Sequence, residues 1–156
     1  MKILIIGGSR FIGPRIVNLL MAHSHNLTVF NRGTRTEPPP GVKFIKGDRN
    51  LGFGIPNHFD AVVDTCAYNG RQVERVFEEL NFDFYLHIGT VASYKKPELF
   101  PLVEDMPIGD WPLWGDYNQG KVEAEKVLEK TNRPYTVLRP VYILGAGNHM
   151  ARESLI

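Results

Sequence analysis

The chain has 156 residues, 43% of them hydrophobic, enough for one buried core and close to the commonest single-domain size. Its 18 basic and 17 acidic residues leave a formal charge of +1, so no overall field draws it to nucleic acid or to an anionic membrane, and any anion site must be local. A single cysteine, Cys66, excludes an internal disulfide framework and a cysteine-built metal centre, and fits a reducing compartment.

Lys2 to Ile6 is a continuous apolar, β-branched run ending in glycine, the mark of a strand buried on both faces. The run breaks at Gly7 and Gly8, far short of a signal peptide or of the roughly 20 residues that span a bilayer, so a cytoplasmic protein without a membrane segment is expected. Ile12, Ile16, Leu19 and Leu20 then recur at helical spacing, with Pro14 in the first turn where its missing N–H does no harm, which predicts a helix to about His23. Leu27 to Phe30 reads as the second strand. The stretch from Asn31 to Gly41, with Gly33 and Pro38 to Pro40, excludes regular structure, and Val42 to Ile45 gives the third strand.

Between Gly47 and His58 the sequence offers Gly52, Gly54 and Pro56 and little periodicity, so this crossover is expected to be abbreviated. Ala61 to Val63 is the fourth strand, and Val73, Val76, Phe77 and Leu80 mark an amphipathic helix after it. Phe84 to Ile88 is the fifth. An irregular stretch from Val91 to Trp114, holding Pro97, Pro101, Pro107 and Pro112, precedes a helix with Ala124, Val127 and Leu128 on one stripe. Tyr135 to Leu138 is the sixth strand, ended by Pro140. Past Gly145 and Gly147, Ala151 to Ile156 reads as the start of a helix cut short.

Strands alternating with helices imply an α/β fold with parallel pairing through right-handed crossovers. Six strands in this rhythm predict a Rossmann-type doubly wound sheet of order 3-2-1-4-5-6. Residues 1–156 are read as one dinucleotide-binding domain, the N-terminal part of a longer protein whose C-terminal, substrate-binding part is missing.

Gly7-Gly8-Ser9-Arg10-Phe11-Ile12-Gly13 lies between strand and helix, the context a dinucleotide fingerprint demands. Gly7 permits a tight turn, Gly13 permits close approach of helix and sheet, and the helix N-terminus offers free N–H groups to a pyrophosphate. The plain alternative is a strand-to-helix turn with no ligand. NAD sites place an acid about 20 residues on to hold the ribose 2′-OH. Here Asn31 and Arg32 stand at that place, and with Arg10 they suit a 2′-phosphate, so NADP(H) is expected over NAD(H). The alternative is that Arg32 is a solvated loop charge and the site takes NAD. Asp48, in Gly47-Asp48-Arg49, is read either as an acceptor for an adenine amino group or as a turn residue.

Tyr117 and Lys121 stand one helical turn apart on one face, a spacing at which the ammonium favours phenolate and makes the phenol a usable acid or base. Thr90, just past the fifth strand, falls at the carboxyl edge of the sheet, where its hydroxyl could bond a substrate oxygen. A helix cap or loop residue is the other reading of Thr90, with Ser93 a nearby competitor.

Gly-Gly-x-x-Phe-Ile-Gly, Thr90 within His87 to Tyr94, Tyr117 with Lys121, and Arg139-Pro140-Val141-Tyr142-Ile143-Leu144-Gly145 together resemble the extended short-chain dehydrogenase/reductase superfamily, of the NAD-dependent epimerase/dehydratase type, over nearly the whole chain. The resemblance implies a catalytic triad of Thr90, Tyr117 and Lys121, with Pro140 to Tyr142 lining the nicotinamide. The chain departs from that pattern at Arg10, in place of the middle glycine, and at Asp64-Thr65-Cys66-Ala67, where an apolar run is usual. With Phe30 to Gly33, these features resemble the atypical branch containing chloroplast stem-loop-binding proteins, linked to RNA binding.

The full cofactor-binding set is Gly7, Gly8, Ser9, Arg10, Phe11, Ile12, Gly13, Asn31, Arg32, Asp48, Arg49, Cys66, Ala67, Tyr117, Lys121, Pro140, Val141 and Tyr142, with no metal ligands. The expected activity is Tyr/Lys-assisted hydride transfer on a nucleotide-sugar-like or other small carbinol substrate, with nucleotide-responsive RNA binding and a vestigial triad as the alternative. Near-neutral charge and the lack of a basic stripe weigh against RNA. The resemblance also implies a homodimer through the helices around Val73 and Ala124.

Overall fold

The β-branched runs assemble into one parallel sheet in the computed structural model, which describes residues 1–35, 37–96, 100–146 and 148. Among these the elements in chain order are β1 (Lys2–Ile6), α1 (Ile12–Ala22), β2 (Asn26–Asn31), β3 (Lys43–Lys46), β4 (His58–Asp64), α2 (Gly70–Glu79), β5 (Asn81–Ile88), α3 (Gly115–Glu129) and β6 (Tyr135–Leu138). The six strands lie in the order β3-β2-β1-β4-β5-β6 with every neighbour parallel, as the alternating pattern predicts. Pro97, Gly147 and the helix start read at Ala151 to Ile156 lie outside the described residues.

Strand alternation divides the core into two layers. Leu4, Ile6, Phe30, Val62 and Tyr85 pack with Val73 and Val76 of α2 and Ala124 and Leu128 of α3. Ile3, Ile5, Leu27, Val29, Ala61 and Val63 face the other way, against Val17 of α1. The predicted α1 stripe needs one change, because Leu19 is exposed and Val17 holds the buried position; at about 100° per residue Val17 follows Gly13 on the inward face and Leu19 does not. Val73 and Ala124 are wholly buried within the chain, so neither contributes to an outer surface.

Two strands begin earlier than their apolar runs. β4 takes in His58 to Asp60 and β5 takes in Asn81 to Asp83, since ladder bonds need backbone groups and tolerate polar side chains at a strand's exposed end. The crossover from β3 to β4 has no helix, as its glycines imply; Phe53 and Ile55 bury themselves there in a helix's stead. Among the described residues no helix is long and apolar enough to cross a membrane.

Candidate functional site

The carboxyl end of β1 enters a turn shaped by glycines. Gly7 and Gly8 have φ of 97° and 74°, a region closed to most side chains, and the Gly7 N–H donates to the Phe30 carbonyl at 2.9 Å. A Cβ on Gly13 would lie 2.5–2.8 Å from the backbone of Gly8, so the start of α1 folds directly onto the turn. The close approach read for Gly13 is therefore to the turn rather than to the sheet. Phe11, at φ 47°, stands at the N-cap and supplies no side-chain cap; in the first turn of α1 the Gly13 N–H donates to the Arg10 carbonyl at 2.8 Å and Pro14 has no N–H.

A cavity of about 450 Å³ opens here, at the carboxyl ends of β1 to β4. Of the residues singled out in the sequence, Gly7, Gly8, Ser9, Arg10, Ile12, Asn31, Arg32, Asp48, Arg49 and Cys66 line it, and Thr34, Arg35, Asn50, Thr65, Tyr68 and Gln72 join them unforeseen. Asn31 is committed to local structure, donating to the Gly7 carbonyl at 2.9 Å and accepting from Gly33 N at 2.8 Å. Asp48 accepts from the backbone and side chain of Asn50 through Oδ1, closing an Asx turn. Arg32 is exposed on the rim.

The floor is a buried polar layer. Arg49 grips Asp64 with both terminal nitrogens, at 2.8 and 2.7 Å, and donates also to the Gln72 carbonyl at 2.8 Å. Asp64, wholly buried at the end of β4, further accepts from Tyr85 Oη at 2.8 Å and Cys66 N at 3.0 Å. Burial pushes the Asp64 carboxyl up, but the charge and hydrogen bonds of Arg49 outweigh it and hold the group below the usual carboxylate range. The Cys66 thiol is pushed up to about 11, by burial first and the Asp64 charge second, which makes it a poor nucleophile near neutral pH. His87, register partner of Asp64 on β5, is buried with neither ring nitrogen hydrogen-bonded among the described residues, and burial above all lowers it to about 4.

Lys121 reaches this layer from α3. Only 4% exposed, its Nζ donates to the Ala67 carbonyl at 2.6 Å and to the Ile88 carbonyl at 3.3 Å, and burial lowers its proton affinity below the ordinary lysine value. The Nζ lies 5.9 Å from the ring centroid of Tyr117 and 5.3 Å from that of Tyr68. Thr90 sits past β5 as the cap of a short 3-10 turn, its Oγ1 accepting from Ala92 N at 3.2 Å. Ser93 is turned inward instead, its hydroxyl on the Glu125 carboxylate, which also binds Arg139. Arg139 thereby fixes the exit of β6, beyond which Pro140 is half-buried and Val141 and Tyr142 are exposed. The structure so brings Tyr117, Lys121 and Ala67 together beside the cavity, while Phe11, Gly13 and 140–142 do not line it.

No protein-family model matches the chain. Over 168 residues it is 29% identical to chloroplast stem-loop binding protein of 41 kDa b of Arabidopsis thaliana, covering 95% of this chain and 43% of that protein. It is 25% identical to UDP-glucose 4-epimerase of Lactobacillus helveticus, covering 95% and 53%. Among solved structures, the Bordetella bronchiseptica enzyme WbmH in complex with NAD+ superposes with a TM-score of 0.74 at 21% identity, covering 96% of this chain and 58% of that one. UDP-glucuronic acid 4-epimerase from Bacillus cereus, in complex with UDP-glucuronic acid and NAD, gives 0.71 at 17% identity, covering 89% and 56%. The chain thus spans about half the length of the curated relatives it matches.

These neighbours correct the cofactor expectation. They hold NAD or NAD+, which overturns the preference for NADP(H) read from Arg32 and Arg10. A guanidinium can also donate to ribose hydroxyls, though less strongly than to a phosphate, so a positive residue after the second strand does not by itself select the 2′-phosphate.

Proposed function

We propose that the chain supplies the NAD-binding part of an epimerase-like oxidoreductase that acts on a nucleotide-sugar-like substrate by Tyr/Lys-assisted hydride transfer. The observation that carries this reading is an uncapped helix start opening on the 450 Å³ cavity, with Lys121 buried beside Tyr117 at its edge. The residues fit a dinucleotide: Gly7 and Gly13 have no room for a Cβ, and the amides of Ser9 to Ile12, where the turn enters α1, suit a diphosphate.

Bound NAD supplies the hydride acceptor and donor. Ser9, Arg10 and the amides of the glycine turn hold the diphosphate, and Arg32 the adenosine ribose. Tyr117 takes the proton of the substrate hydroxyl, and the Lys121 charge favours the phenolate that does so. Thr90 donates to the substrate oxygen through the hydroxyl hydrogen that its cap leaves uncommitted. Pro140 to Tyr142 flank the nicotinamide. Calorimetric titration of the chain with NAD+ tests the reading: binding by wild type and its loss in Gly13→Val support it, and a folded wild type that binds no NAD+ refutes it.

The match to the stem-loop binding protein and the three arginines Arg10, Arg32 and Arg35 around the cavity favour a second reading, nucleotide-responsive RNA binding without turnover. Filter binding of a structured RNA at two salt concentrations decides it, since phosphate contacts make such binding steeply salt-dependent.

A further inference from the structure

Tyr68 follows β4 by four residues, and no motif marks it. Its backbone is pinned from two sides. The N–H donates to Gln72 Oε1 at 2.8 Å, and the carbonyl presses against α3 where a Cβ on residue 120 would have to be, so the contact requires Gly120. The ring is 59% exposed, lines the cavity, and meets the ring of Tyr117 edge-on with centroids 6.5 Å apart.

The Lys121 ammonium lies to one side of this ring pair, 5.3 and 5.9 Å from the two centroids and within the range of cation–π attraction. A buried ammonium needs replacement for its lost hydration. Two backbone carbonyls supply part of it, and among the described residues no carboxylate lies within ion-pair distance of Nζ. The charges of Asp64 and Glu125 favour the ammonium from further away, and the aromatic faces add to this at closer range.

We infer that Tyr68 is a positioning residue of this site, its ring forming with that of Tyr117 an aromatic bracket along one side of the Lys121 ammonium that helps to hold it charged and fixed at the cavity's edge. Its functional meaning rests on the Tyr117/Lys121 reading above. The charged or titratable groups around Lys121 are Asp64 and Cys66 at the end of β4, Arg49 from the crossover, His87 of β5, and Glu125 and Tyr117 of its own helix. Removing the Tyr68 ring alters none of them.

The test follows Lys121 by ¹³Cε NMR titration of the 156-residue chain, without cofactor, in wild type and in Tyr68→Phe, Tyr68→Leu and Tyr68→Met. Phenylalanine keeps the aromatic face and should leave the Lys121 midpoint unchanged. Leucine and methionine should each lower it by about half to one pH unit, the shift a lost cation–π contact implies. Unchanged midpoints in folded leucine or methionine variants overturn the inference. So does failure of both to fold, which makes Tyr68 a residue of stability. NAD+ titration of the same samples separates the two claims: if wild type binds no NAD+, the functional reading fails while the bracket is still measured.

Discussion

Replacing Arg49 by methionine tests the buried layer beneath the cavity. The guanidinium is 7% exposed and makes a bidentate pair with Asp64, which is wholly buried. Without it the carboxylate keeps only the Tyr85 hydroxyl and one backbone amide. Removing one partner of such a pair costs about 3–5 kcal/mol, because a charge is left unpaired in the interior. At about 2–4 °C per kcal/mol for a domain of this size, the melting temperature should fall by roughly 6–20 °C at pH 7.5. The sign with pH is also fixed. In wild type the lowered Asp64 pKa contributes stability that is present above the unfolded carboxylate range and lost as pH falls through the folded value. In the variant burial outweighs the hydrogen bonds that remain and raises that pKa, so the deficit relative to wild type should shrink at pH 4.5, as the carboxyl takes up its proton. Urea unfolding followed by circular dichroism at the two pH values measures both effects. A deficit below about 1 kcal/mol at pH 7.5, or one equal at both pH values, refutes the account of an unpaired buried charge.

Three further outcomes are expected. Gly13→Ala places a methyl group against the Gly8 backbone and should weaken NAD+ binding by more than tenfold in calorimetry while the far-ultraviolet spectrum stays native. His87, held neutral in the fold down to about 4, takes up its proton more readily when unfolded, so folding should lose about 3 kcal/mol as pH falls from 6.5 to 4. His87→Leu should remove that slope, as urea titrations at intervals of half a pH unit would record. Tyr117→Phe should leave NAD+ affinity within about twofold and cut turnover of a nucleotide-sugar substrate by roughly 10²- to 10⁴-fold, measured by steady-state kinetics; full activity would discard the phenol as proton carrier.

The sheet order was legible because β1, β2 and β4 carry β-branched residues and β5 an aromatic-rich apolar run, and a parallel sheet packed on both faces demands such runs. β1 and β6 keep the boundaries their apolar residues predict. The glycine turn was legible too, since backbone positions that exclude a Cβ leave a mark in the residue type itself. What could not be read was the polar interior. Arg49 was read as a cofactor contact and Glu125 looks in sequence like a residue of a solvated face, yet Arg49 with Asp64 and Glu125 with Arg139 form ion pairs across 15 and 14 positions. Asp64 stood out only as a departure from an apolar pattern. Tyr68 carried no mark, because its place depends on how closely Gly120 lets α3 approach. The cofactor misreading had a different source: the charge of Arg32 was visible, but charge alone does not tell a hydroxyl from a phosphate.

The missing helix between β3 and β4 bears on how a ligand leaves. That flank of the cavity is lined by Gly47, Asp48, Arg49 and Asn50 from a loop, which Phe53 and Ile55 anchor in the core, with the Phe53 amide tied to Glu79 at 2.8 Å rather than to a helical neighbour. A wall held by a few anchors opens by local excursions that a hydrogen-bonded helix resists. Amide exchange along 50–56 should therefore outpace that of the central strands, and the adenosine end of a bound dinucleotide should be the first to come loose.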